Sequence, residues 1–86
     1  MQVKVIISGR NYHTLGSIPA RLDLPEGCTL HDAIQTAAAA LPAGVSLPEA
    51  CLVAVSGKHL GTLHSHLPCV LKEGDELLLI APVAGG

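Results

Sequence analysis

Phenylalanine and tryptophan are absent from these 86 residues, and Tyr12 is the only aromatic side chain. A core must therefore be aliphatic, and there is no series of aromatic faces on which nucleobases could stack. Positive charge is also sparse. The five basic residues (Lys4, Arg10, Arg21, Lys58 and Lys72) are scattered and outnumbered by seven acidic ones, giving a formal charge of -2. Such a chain lacks the counterion release that drives nucleic-acid binding, so nucleic acid is not an expected partner. Apolar runs of membrane-spanning length are missing as well, and Lys4 and Arg10 interrupt any leader-like opening. No membrane association is expected.

Cysteine is too scarce for a framework. Cys28, Cys51 and Cys69 are odd in number and far apart, so they read as reduced, partly buried thiols in a reducing compartment, by default the cytoplasm. Three thiols cannot supply the four ligands of an iron–sulfur cluster, and no paired cysteines complete a zinc spacing. The histidines (His13, His31, His59, His64, His66) accordingly read as surface side chains, and no metal site is expected. Cys28 stands just before a helix start, where a thiolate is favoured, so a reactive role stands beside a structural one. Lys58 reads as a solvated turn lysine, with an acidic partner patch as the other reading. No nucleophile, base and orienter converge in the pattern, so an independent enzyme is not expected.

What is present is one domain's worth of alternating and periodic aliphatics. Val3, Val5 and Ile7 alternate with polar residues and predict a first strand, broken at Ser8-Gly9-Arg10-Asn11. Ile18, Ala20, Leu22 and Leu24 predict a second strand, ended by Pro25-Glu26-Gly27 and marked by Pro19 as an edge; the two should form a hairpin. Thr29 then precedes Leu30, Ala33, Ile34, Ala37, Ala38 and Leu41, the spacing of a helix with one buried stripe. Asp32 is placed to complete a modified capping box, and Pro42 ends the helix. Cys51 to Ser56 predicts a third strand closed by Ser56-Gly57-Lys58, His59-Leu60 a short strand followed by loop to Leu71, and Glu76 to Ala81 a last strand after the Lys72–Asp75 turn.

This order predicts an α+β fold of β-grasp type, a mixed sheet with one main helix packed across one face. The body would comprise residues 1–81, with 82–86 as a flexible tail. The last strand is apolar on both sides, Leu77 and Leu79 pointing one way and Leu78 and Ile80 the other. One set faces the helix. The other either docks a neighbouring chain or is shielded by the segment from His59 to Leu71, and the pattern leaves both open.

Pro82 stops sheet pairing, leaving Val83-Ala84-Gly85-Gly86 to project. Without side chains, Gly85 and Gly86 can enter a slot too narrow for a Cβ, and the terminal carboxylate arrives first. A carboxylate is a poor acyl donor; adenylation makes it a mixed anhydride that sulfur can attack, yielding a thiocarboxylate on a flexible arm. A frayed glycine-rich end would look the same in isolation.

Glu73-Gly74-Asp75-Glu76, the apolar strand and Ala81-Pro82-Val83-Ala84-Gly85-Gly86 together resemble the C-terminal end of the MoaD/ThiS family of ubiquitin-like sulfur carriers, and Leu24-Pro25-Glu26-Gly27-Cys28-Thr29 resembles its turn before the helix. The resemblance is greatest to the small subunits of molybdopterin synthase. Ala81 departs from it, since the family usually has a second proline there. The resemblance implies a carrier with no activity alone and no bound cofactor. An ATP-dependent adenylating enzyme of ubiquitin-activating type would activate Gly86, with Gly85 passing through its slot, and a sulfur donor protein would load it. Leu78, Ile80, Pro82, Val83 and Ala84 would meet the large subunit of molybdopterin synthase, where sulfur enters molybdopterin. A carrier for another pathway, such as that of the thiamine thiazole, a non-carrier grasp module and a lysine-conjugated modifier are the alternatives.

Overall fold

The computed structural model describes residues 1–9 and 18–81. Alternation sets the sheet. Strand β1 (Gln2–Gly9) buries Val3 and Val5 and turns Gln2, Lys4 and Ile6 outward. It pairs antiparallel with β2 (Arg21–Asp23), Val3 opposite Leu22, and parallel with β5 (Glu76–Ala81), Val5 opposite Leu77 and Ile7 opposite Leu79. β5 pairs antiparallel on its other side with β3 (Leu52–Val55), which forms a hairpin with β4 (Lys58–Thr62). The sheet order is β2-β1-β5-β3-β4, so the most apolar strand lies at the centre and the strand following Pro19 lies at the edge.

Helix α1 (Leu30–Ala39) begins with the expected cap. Thr29 Oγ1 accepts from the Asp32 amide at 3.2 Å, and the Asp32 carboxylate accepts from the Thr29 amide at 3.3 Å. Leu30, Ala33, Ile34 and Ala37 form its buried stripe and share one core with Val3, Val5, Leu22, Val53, Val55, Leu77 and Leu79. Full burial of Leu77 or Leu79 contributes roughly 1.5–3 kcal/mol each. The result is the β-grasp arrangement, a mixed five-stranded sheet crossed on one face by a helix.

Several expectations need correction. Regular strand geometry covers only Arg21–Asp23, with single backbone hydrogen bonds beyond it from Val5 to Ala20 and from Leu24 to Met1, and Ala20 is exposed instead of continuing the Ile18–Leu22 face. Pro19, which has no amide to donate, stops the ladder on that side. The helix stops at Ala39, leaving Leu41 half-buried beyond it, and Ala38 is exposed, because the stripe is narrower than its apolar residues. β4 extends through Gly61 to Thr62, longer than a short strand at His59-Leu60, because a register shift between Val53 and Ala54 lets Leu60 turn into the core. The segment after β4 also has definite structure. The Thr62 amide of β4 donates forward to Ser65, Leu67 donates back to Leu60 of β4, Leu71 donates to Cys28, and Leu30 donates to Cys69, which fastens the segment to the start of α1.

Candidate functional site

The strand that carries the tail also carries the open face of the sheet. Residues paired across a sheet share a face, so Leu78 is grouped with Ile6 and Ala54, and Ile80 with Ser8 and Leu52. Leu78 and Ile80 are half-buried, flanked by Ile6 at 37% exposure and Leu52 at 45%. Four aliphatic side chains thus form a continuous apolar patch on the side away from α1. The other explanation of the doubly apolar strand, shielding by the segment from His59 to Leu71, is overturned. Leu60 and Leu71 of that segment enter the helix-side core, its β4 residues pair edge-on with β3, and the backbone hydrogen bonds beyond that ladder run to residues 28–30 and 49–51 and within itself.

Ile6 and Leu52 were not singled out by the sequence reading. A signal existed: Ile6 is apolar at a position where strand alternation calls for a polar residue. The patch is bordered by Lys4, paired with Arg21 on one side and Glu76 on the other. Ser8 and Thr62 form the opposite border, nearer the end of β5 from which the tail departs.

The attachment point is tightly built. Ala81, the last residue of β5, is buried at 3% exposure and lies opposite Gly9. The remaining predicted site residues, Pro82, Val83, Ala84, Gly85 and Gly86, lie outside the described residues, as does His13.

The other candidates do not assemble into a centre. Among the described residues no group of three or more His, Cys, Asp or Glu side chains is placed to hold a metal ion. His31 and His66 stack with ring centroids 6.4 Å apart, and no third ligand joins them. Cys28 and Cys51 are buried, free thiols, and Cys69 is half-buried. Burial pushes the Cys28 thiol above its ordinary range and the Asp32 carboxylate pushes it further, which removes the thiolate that a position before a helix suggests. Burial likewise pushes up Cys51. Asp75, the one buried charged side chain among the described residues, accepts from Ser56 Oγ at 2.9 Å and the Lys72 amide at 2.8 Å, and so braces the turn before β5. Lys58 is exposed at the start of β4, directly after the Ser56-Gly57 turn. A cleft of about 350 Å³ between α1 and the 46–64 segment brings Glu49 and His64 to an apolar wall but holds no Ser, Thr or Cys nucleophile besides Ser46. No helix among the described residues is long and apolar enough to cross a membrane.

Comparison with known proteins gives two results that bear on this geometry. The model of the ThiS family matches residues 5–86, from the middle of β1 through the glycine pair. A protein of Chlamydomonas reinhardtii described as a molybdopterin synthase sulfur carrier subunit is 28% identical over 86 residues, covering 100% of both chains. No solved structure matches the chain.

Proposed function

Because the chain belongs to the ThiS family, we propose that it is a sulfur carrier that works through the carboxylate of Gly86 and supplies sulfur for molybdopterin as the small subunit of a molybdopterin synthase. The observation that carries this reading is the family match continuing through Gly85 and Gly86. The pathway rests on the full-length relative, which is described as a molybdopterin synthase sulfur carrier subunit.

The chemistry follows from what a terminal glycine can do. A carboxylate oxygen attacks the α-phosphorus of ATP within a partner adenylating enzyme, pyrophosphate leaves, and an acyl adenylate remains. Sulfur at the sulfide level, from a donor protein, then displaces AMP to leave the thiocarboxylate. In the large synthase subunit, that sulfur passes to the pterin precursor, and water supplies the oxygen that regenerates the carboxylate. No group on the folded body takes part in bond making. Its tasks are to present the tail and to dock, for which the Ile6, Leu52, Leu78 and Ile80 patch supplies an apolar surface continuous with the strand that leads to Pro82. Recognition centred on such aliphatic groups fits a partner that desolvates them fully.

The test is intact-mass measurement after incubation with ATP, a sulfide source and the cognate adenylating enzyme. The expected product has one oxygen replaced by sulfur, and a chain extended by one residue beyond Gly86 gives none. Normal loading of the extended chain, or no loading of the unextended one, overturns the carrier reading. Reconstitution with the large subunit of molybdopterin synthase, set against a thiazole-pathway acceptor, then decides the pathway.

A further inference from the structure

Two glycines of the sheet are held where no other residue fits, and they lie at opposite ends of its chemistry. Gly9 has φ +115°, and a Cβ built on it would meet the Ala81 carbonyl oxygen at 2.4 Å and the Ala81 Cβ and nitrogen at 2.9 Å. Gly61 has φ +124°, and a Cβ there would meet the Ser65 carbonyl oxygen at 2.4 Å. Strain and crowding are therefore nearly matched. What differs is the neighbour: Gly61 crowds a loop beyond β4, whereas all three atoms nearest to Gly9 belong to the residue from which the C-terminal segment departs.

We propose that Gly9 is a positioning residue for sulfur loading, setting the position and direction of Ala81 and thereby the line along which residues 82–86 reach a partner's active site. This rests on the carrier reading. β5 is locked on both sides as far as Ile80, which pairs with Ser8 of β1 and Leu52 of β3. Ala81 is different, because its one ladder partner is Gly9. A side chain at position 9 must therefore open this pair, by on the order of 1 Å to restore van der Waals contact. The five residues that follow start from this pair, so a shift of Ala81 displaces the point from which they reach a partner. Misplacement of a reacting group by about 1 Å can cost about a hundredfold in rate.

The pair of glycines supplies its own control. Gly9→Ala and Gly61→Ala are compared in the full-length chain by urea unfolding and by the rate of thiocarboxylate formation per folded molecule, using ATP, sulfide and the adenylating enzyme at saturating concentration. Both variants should lose stability. Gly9→Ala alone should load at least tenfold more slowly, while Gly61→Ala loads at the wild-type rate. Ala81→Gly, which adds no clash but loosens the same root, should load several-fold more slowly and serves as the test if Gly9→Ala does not fold. Equal loading per folded molecule by Gly9→Ala and Gly61→Ala, or wild-type loading by Ala81→Gly, overturns the positioning role. Failure of the wild-type chain itself to load overturns the carrier reading instead.

Discussion

Ile6 lies directly opposite Leu78 across the parallel β1–β5 ladder, on the face of the sheet that the helix leaves open. The pair joins the exposed edge of the apolar patch to its half-buried centre. It also separates two properties that a single-strand view merges, because a residue can contribute to docking without contributing to the core.

Ile6→Glu and Leu52→Glu should therefore weaken association with the large synthase subunit or the adenylating enzyme by about tenfold or more, with stability changed by only about 0.5 kcal/mol. Leu78→Glu and Ile80→Glu should weaken it as much and also cost stability, since both side chains are half-buried. Titration calorimetry beside urea melts distinguishes the two pairs. Unchanged affinity in all four variants would remove the patch from the docking surface.

Asp75 should matter to the body alone. Its carboxylate receives the Ser56 hydroxyl and the Lys72 amide, while the Glu76 amide donates to Ser56 Oγ at 3.2 Å, so one side chain ties the β3–β4 turn to the entry of β5. Removing it in Asp75→Ala takes the charged acceptor from two part-buried hydrogen bonds and is expected to cost about 1–3 kcal/mol. Ser56→Ala should cost less, and a double-mutant cycle should show the two sites coupled.

The helix cap gives a smaller effect. Thr29→Ala removes the acceptor for the Asp32 amide and is expected to cost about 1 kcal/mol, measured as a lowered urea midpoint with an unchanged m-value. Thr29→Ser, which keeps the oxygen, should restore most of it.

The thiols set an alkaline limit. In the unfolded chain Cys28 and Cys51 ionise near the ordinary value of 9.0, whereas in the folded chain burial raises both above it. A raised value in the folded state means that their contribution is fully present below about pH 9 and is lost as the pH climbs through the higher folded values. Urea midpoints should therefore fall above pH 9, with a shallower fall in the Cys28→Ala/Cys51→Ala double variant. At pH 8 a thiol reagent should modify Cys69 first and the two buried thiols only on unfolding.

Much of this was legible in the residue order because it depends on short-range physics. Strand alternation at Val3 and Val5, the Thr29–Asp32 cap and the Lys72–Asp75 turn all act within a few residues, and each appears where the pattern puts it. The doubly apolar β5 was legible too, but only as an ambiguity. Ile6 breaks the alternation of β1, but it and Leu52 become a surface only when β1 and β3 are laid on either side of β5.

The sequence by itself determined the grasp body, through the periodicity of its aliphatic residues. Tertiary structure alone decided which side of β5 stays open, because that depends on where the segment after β4 is fastened. It decided too that Gly9 faces Ala81 although 72 positions separate them in the chain. A parallel ladder brings together residues that no local rule relates, and the crowding that makes glycine necessary exists only once that ladder has formed.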